Sequence, residues 1–588
     1  MGTMKTTVKR KIAKSKLPSE HPTATVNRAG GVAFEISNPS VKLLTMTGGS
    51  FFAEPRYYNQ KTCRAKRLSS GKFGKLAERL ILSEEKVIRF VHCDELDDVA
   101  IEIISTAIDV AQGQHPRDLL ALANYLRNEG NIRLTPQVFL VLASRMEETK
   151  GYVRSYVEKI VKRPDEIKTC LMLYRYFFGM KCLPNALAQG LSDRLSQLNE
   201  VALMKYDDKN FPTWKDVLCW LPRKKNWPLS TDLSNYFKKG VVTDKTPIAR
   251  DRSLLAKMGT FDIKAQELAK SSRTNWEVLL SQFGQEKKNV WEFLINENLV
   301  GYMALLRNLR NLIQAEVDKD TLKKVYNKLS DAEEVRNSKQ LPFRYLAAYN
   351  ELEKIEASSS VSKLLEAIEN ATEVAIENCP VIPGYTVIAI DDSGSMSCGI
   401  SEKSSMTAFD AACALGSICA RRGEEVDVVA FSNNVRTINM TKHTTMMNIA
   451  KNIGNQGGCT NTHLVIKKLI QEKKFPDRLF IFSDMQAWNN SSFTINKTRK
   501  HYKKNWPFLD NENCADLWDK YRKLGKESQK TWLHSVNICG YGDTPFCEKD
   551  KKVNLVGGFN ESVLSLALQT EGILDDEIPP IEYIRKNF

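Results

Sequence analysis

The stretch "YTVIAIDDSGSMS", residues 385–397, runs six strand-type residues into two carboxylates, three hydroxyls and a glycine. A short run without polar alternation reads as a strand covered on both faces, as in parallel sheets. Three similar runs follow: "EVDVVAFS" (425–432), "RLFIFSDMQ" (478–486) and "LHSVNICGYG" (533–542). Helical patterns lie between most of them, in "SMTAFDAACALGSICARRG" (405–423), "HLVIKKLIQEKK" (463–474) and "NCADLWDKYRKLGKE" (513–527). This alternation predicts a doubly wound α/β domain of the Rossmann type over residues 383–588, entered through the Pro- and Gly-broken linker "ENCPVIPG" (377–384).

In an open parallel sheet, ligands bind beyond the carboxyl ends of the strands. Asp391, Ser393 and Ser395 alternate along the first such exit, so their side chains turn towards one point. Two further exits supply Thr460, from "GGCTNT" (457–462), and Asp484, from "FIFSDMQ". Two carboxylates and three hydroxyls form a hard, all-oxygen set, which suits Mg²⁺ or Mn²⁺ and disfavours zinc. No histidine or glutamate is placed as a general base, so the set reads as a binding site and the protein as a non-enzyme.

Upstream, the pattern changes from strand to helix. "HPRDLLALANYLRNEGN" (115–131) places Leu119, Leu120, Ala123 and Leu126 on one helical face, with Pro116 in the first turn and Gly130 at the end. "TPQVFLVLASRM" (135–146) follows with Thr135 as the expected N-cap, and "TNWEVLLSQFG" (274–284) carries a Thr274–Glu277 capping box. From about residue 75 to 375, such helices recur without clear strands, which predicts stacked helix pairs of the HEAT type. Residues 1–27, with "VKRKIAKSK" (8–16), read as a basic flexible arm.

The net charge of +15 is uneven. After residue 380 there are 26 Lys and Arg against 24 Asp and Glu, whereas before it there are 59 against 46. The basic excess therefore belongs to the helical part and suggests a polyanionic partner, most simply nucleic acid. The 13 cysteines form no C-x-x-C pair and read as reduced thiols. No apolar h-region opens the chain and no 18 apolar residues run together, so a cytoplasmic protein without a membrane span is expected.

D-x-S-x-S followed by a loop threonine and a strand-end aspartate resembles the metal-ion-dependent adhesion site (MIDAS) of von Willebrand factor A domains, matched here by Asp391, Ser393, Ser395, Thr460 and Asp484. "GGCTNT" has one residue more than the usual G-G-T, which leaves Thr462 as a second, weaker candidate for the role of Thr460. That resemblance implies a divalent cation with one position open to an acidic group of a partner. The segments "NRAGGVAFEISNPSVKLLTMTGGSFFAEPRYYN" (27–59), "MALLRNLRNL" (303–312) and "LPFRYLAAYNELEKI" (341–355) resemble the TROVE domain, and "GGFNESVLSLALQ" (557–569) looks like a last helix of the same family. A TROVE domain over 28–378 followed by an A-like domain over 383–588 is the arrangement of the Ro 60-kDa autoantigen family. The resemblance implies a HEAT-like helical ring that binds the single-stranded 3′ ends of misfolded or defective non-coding RNAs. It also implies Y-type small RNAs as ligands and a ribonucleoprotein role in RNA quality control, with no DNA partner expected.

Candidate RNA contacts come from the residues themselves. In "KYDDKNFPTWKDVLCWLPRKKNW" (205–227), Lys205, Lys209, Lys215, Arg223, Lys224 and Lys225 alternate with Trp214, Trp220 and Trp227. Cations beside stacking surfaces hold single strands without sequence preference. Thr213 with Asp216 could cap a helix whose amides would face a phosphate. The family often has a histidine where Trp214 stands. In "MALLRNLRNLI" (303–313), Arg307 and Arg310 lie opposite a leucine stripe with no acid three or four residues away. The competing reading is a helical protein–protein adaptor whose A-like domain grips an acidic partner through the cation.

Overall fold

The computed structural model describes residues 23–27, 31–49, 57, 79–82, 87–90, 98–179, 182–207, 211–223, 231–399, 406–439, 444–454, 456–487, 513–558 and 560–588. They divide into two compact units, one from residues 1–53 with 379–580 and one from 54–378 with 581–588. The fold class is the one expected, a helical unit and a doubly wound α/β unit. The division is not the linear one expected, because each unit takes in one end of the chain.

In the α/β unit, six strands lie in the order Val553–Gly557, Trp532–Asn537, Arg478–Ser483, Ile382–Asp391, Gly423–Phe431 and Val435–Ile438. Neighbours pair in parallel except the last, which is antiparallel to Gly423–Phe431. Along the central strand Ile382–Asp391, Val387 and Ala389 join a core with Val465, Leu469, Trp518 and Leu533. Ile388 and Ile390, which point to the opposite face, are also fully buried. Helix Ala408–Arg422 packs on this strand, and His463–Glu472 packs with Cys514–Arg522. Both faces are thus covered, which is why the strand needs apolar residues at every position.

The described part of the expected flexible arm is ordered. Ala24–Val26 pairs antiparallel with Val32–Glu35, which pairs on its other edge with Asp543–Thr544. Helix Pro39–Gly48 is capped by Asn38, whose Oδ1 accepts from Ser40 N at 2.9 Å, and starts on a proline suited to the first turn. It packs against Val553–Gly557 and Trp532–Asn537. The contact is backbone on backbone, since a Cβ on Gly48 would collide with the Gly557 carbonyl and one on Gly557 with that of Thr45. Residues 1–22 lie outside the described residues.

Consecutive helices pair in the helical unit: Asp118–Asn128 with Leu134–Ala143, Pro247–Leu255 with Ile263–Ser271, and Pro342–Leu352 with Ser359–Ile376. The terminal helix Pro580–Asn587 is held here, with Arg585 forking onto the buried Asp118 carboxylate at 2.7 and 2.8 Å. Phe588 meets Tyr125 edge-on at 5.3 Å. Among the described residues, no helix is long and apolar enough to cross a membrane.

Several local expectations shift. Residues 79–90 contain an antiparallel pair, Arg79–Leu82 with Val87–Phe90, in the stretch read as helical. Thr135 lies inside helix Leu134–Ala143 and bonds the Tyr57 hydroxyl at 3.1 Å, so it is no cap. Asn275, not Thr274, caps Trp276–Gln282, because Thr274 Oγ1 is engaged by Ser272 at 2.7 Å. The "MALLRNLRNLI" helix breaks at Asn308 into Tyr302–Arg307 and Leu309–Gln314.

Gly557→Ala should lower stability by about 1–3 kcal/mol, the usual cost of forcing a methyl into a packed contact. Gly399→Ala, with open space around its Cβ, should leave the melting temperature unchanged. Differential scanning calorimetry of both variants checks the pair.

A strand-exit oxygen cluster and a set of exposed cations

Parallel pairing aligns Ile390 with Phe482, so Asp391 and Asp484 leave adjacent strands at nearly the same level. Asp391 is fully buried; its Oδ1 accepts from Ser393 N at 2.9 Å and its Oδ2 from Ser483 Oγ at 2.5 Å. Ser393 Oγ lies 3.1 Å from Ser395 Oγ and accepts from Thr460 Oγ1 at 2.9 Å. Ser395 in turn hydrogen-bonds Asp484, whose Oδ1 accepts from Gln486 N at 3.0 Å. All five candidate residues are therefore joined. Ser395 is exposed while the other four are buried, which leaves the cluster open on one side.

Backbone contacts hold the loops in place. Gly394 N donates to Gly458 O, and Gly457 N to Asp392 O, both at 3.0 Å. Gly458 has φ +98° and a Cβ there would strike Asn433, so the "GGCTNT" turn requires glycine at this position. The residue between the two ligand-type positions, Asp392, faces elsewhere: its Oδ2 meets Arg436 Nη2 at 2.6 Å. Arg436 is held by the carbonyl oxygens of Ile453 and, at 2.9 Å, Gly454. Asp392, Arg436 and Ser483 are parts of the site that sequence reasoning missed. Thr462, the second threonine candidate, is buried with no hydrogen-bond partner for its hydroxyl among the described residues, whereas Thr460 reaches Ser393.

The cluster stores electrostatic cost. Neither Asp391 nor Asp484 meets a Lys or Arg among the described residues. Burial, and then the neighbouring Asp484 carboxylate, push Asp391 up to about 7, and burial also raises Asp484. Asp391, Ser393, Ser395, Thr460 and Asp484 could together hold a hard cation, which would remove that cost.

Among the described candidates, Lys205, Lys215, Arg307 and Arg310 lie on four helices, Glu200–Lys205, Trp214–Trp220, Tyr302–Arg307 and Leu309–Gln314, and Arg223 follows the second of them. Lys205, Lys215 and Arg223 are exposed and carry no ion pair among the described residues. Lys209, Lys224, Lys225 and Trp227 lie outside the described residues. Trp214 is only 1% exposed, packed on the face it shares with Val217 and Leu218, and its Nε1 donates to Leu203 O at 3.0 Å. It is a core residue with Lys168 over its ring, not an alternating stacking surface. Trp220 is half-buried, edge-on to Phe211 at 5.7 Å and 4.1 Å from the Arg175 guanidinium. Thr213 and Asp216 do form a capping box, but the carboxylate of Asp216 takes the Thr213 amide at 2.8 Å, on a helix of only seven residues, which leaves the phosphate reading without support. Arg307 is exposed with no ion pair among the described residues. Arg310 does find a partner, Glu351 of Pro342–Leu352, at 3.2 Å, so local spacing alone misjudged it.

In the folded chain Asp391 binds a proton up to about pH 7, while the unfolded carboxyl releases it near ~4. In chelator, stability should therefore fall as pH rises across that window. Asp391→Asn should flatten this slope and stabilise the chelated protein at about pH 8 by on the order of 1 kcal/mol or more. Chemical denaturation of both proteins across pH is the measurement.

Known proteins bear on this geometry. Residues 263–449 match the TROVE domain family model, a range that runs past Cys379 into the α/β unit. The chain is 23% identical over 298 residues to telomerase protein component 1 of Rattus norvegicus, covering 41% of this chain and 11% of that protein. It is 25% identical over 200 residues to RNA-binding protein RO60 of Deinococcus radiodurans, covering 32% of this chain and 38% of that one. The chain thus spans about a tenth of the telomerase component it matches. The crystal structure of the Deinococcus radiodurans RO (RSR) protein superposes with a TM-score of 0.58 at 16% identity, over 80% of this chain and 93% of that one. The TROVE match over residues 263–449, the likeness to RNA-binding protein RO60 and the fold shared with the RO (RSR) protein together support the resemblance to the Ro 60-kDa family.

Proposed function

We propose that this protein binds RNA through its helical unit, taking single-stranded 3′ ends of defective non-coding RNAs and Y-type small RNAs, and acts in RNA quality control. The observation that carries the reading is the TROVE match over residues 263–449, beside the likeness to a protein named an RNA-binding protein. The basic excess before residue 381 and the exposed Lys205, Lys215, Arg223 and Arg307 support it, because cations without ion-pair partners can neutralise phosphates and release counterions. Arg310 would have to exchange its Glu351 partner for a phosphate.

The strand-exit cluster holds Mg²⁺ or Mn²⁺ in this reading. Its support is the donor chemistry: two buried carboxylates without a counter-charge among the described residues, three hydroxyls, and an exposed rim at Ser395. A bound cation would supply an open coordination position for an acidic group of a protein partner. The site binds and does not catalyse.

Fluorescence anisotropy with a structured RNA carrying a single-stranded 3′ tail, beside its blunt form, tests the RNA claim. The tailed RNA should bind more tightly, the affinity should fall steeply with salt, and Arg307→Glu should weaken it roughly ten-fold at low salt. If neither RNA binds, the adaptor reading replaces this one.

A further inference from the structure

Asp392 stands between two of the cluster's oxygen donors and is a third carboxylate that the cluster does not use. It is fully buried. Its amide donates to Phe431 O and its carbonyl accepts from Gly457 N, both at 3.0 Å, so its backbone is fixed between the exit of Gly423–Phe431 and the "GGCTNT" loop. Oδ2 meets Arg436 Nη2 at 2.6 Å, while Oδ1 has no hydrogen-bond partner among the described residues. A carboxylate removed from water in this way is costly unless a cation answers it, and Arg436 is that cation.

Arg436 is itself pinned. Its Nη2 also donates to the carbonyl oxygens of Ile453 and, at 2.9 Å, Gly454, where helix Met446–Ile453 ends and Gly454 turns the chain at φ +57°. The last carbonyls of a helix lack partners within it, so they attract a guanidinium. That helix packs on Ala408–Arg422, which in turn packs on the central strand Ile382–Asp391. The guanidinium therefore stays beside Asp392, and among the described residues Asp392 is the one carboxylate that answers its charge.

The pair is neutral as a whole, but each half lies close to the cluster. Successive Cα atoms are about 3.8 Å apart, which puts the Asp392 carboxylate roughly 6–8 Å from that of Asp391. Over that distance, with little water between, a single uncancelled charge acts strongly on a divalent ion.

We infer that the Asp392–Arg436 pair sets the affinity of the strand-exit cluster for its cation, its two charges acting on the ion in opposite directions and cancelling. The inference rests on the reading of the cluster as a divalent-cation site. Asp392 alone would draw the ion in more tightly and repel an acidic partner group from the open position. Arg436 alone would oppose the ion. With both present, the carboxylates of Asp391 and Asp484 match the ion's two charges, and an acidic partner group meets no excess negative charge.

The test is Mn²⁺ titration of the full chain, followed by the electron paramagnetic resonance signal of free Mn²⁺. Four proteins are compared: the unmutated chain, Asp392→Asn, Arg436→Gln and the double variant. Each substitution removes one charge and keeps a hydrogen-bonding group across the pair. Asp392→Asn should weaken Mn²⁺ binding about five-fold, Arg436→Gln should tighten it about ten-fold, and the double variant should return to within about two-fold of the unmutated chain. A pair that only braces the loop gives a different pattern, with both single variants weaker and the double weakest, and that pattern would overturn the inference. Should Arg436→Gln fail to fold, Asp392→Asn against the double variant decides, since recovery in the double supports the inference and further loss overturns it. An unmutated chain that binds no Mn²⁺ would remove the cation reading and this inference with it.

Discussion

Two carboxylates placed side by side, with no positive neighbour among the described residues, constrain the α/β unit more than any other feature. Parallel pairing of Ile382–Asp391 with Arg478–Ser483 brings Asp391 and Asp484 out at one level, and burial gives each a reason to stay protonated. The surrounding architecture serves to keep them there. Ser483 and the Ser393 amide hold Asp391, the Gln486 amide and Ser395 hold Asp484, and Thr460 closes the ring through Ser393. Arg436 draws Asp392 away, so the adjacent acid does not add a third negative charge to the cluster.

Much of this was readable before the structure, for physical reasons. A strand covered on both faces must be apolar throughout, so the four central strands announced themselves, and strand exits in such a sheet are where side chains can converge. What escaped were contacts made across sequence. Arg436 sits on a four-residue edge strand, Val435–Ile438, too short for a pattern to form. Arg310 and Glu351 are 41 residues apart, and helix spacing says nothing about partners on another helix. Trp214 looked like a stacking surface because it lies among lysines, but the i, i+3, i+4 companions Val217 and Leu218 turn that face inward. Caps moved by a residue or two where neighbouring hydroxyls competed, as at Thr274.

Domain assignment was the larger difference. A linear reading gives residues 1–27 to a basic arm and 28–378 to the helical part, yet Ala24–Val26, Val32–Glu35 and the capped helix Pro39–Gly48 join the α/β unit. The glycines at 48 and 557 permit that helix to lie backbone to backbone on the sheet edge, a signal visible only once the partner is known. The terminal helix reverses the exchange by anchoring Arg585 on Asp118. Each unit therefore depends on a segment supplied from the far end of the chain.

The central claim is that Asp391 and Asp484 are brought together to share a divalent cation. Crystals grown with Mn²⁺ and measured where manganese scatters anomalously test it most directly. The account predicts one strong anomalous peak within coordination distance of Asp391, Ser393, Ser395, Thr460 and Asp484. A well-ordered cluster with no peak there, at saturating Mn²⁺ and neutral pH, would contradict it.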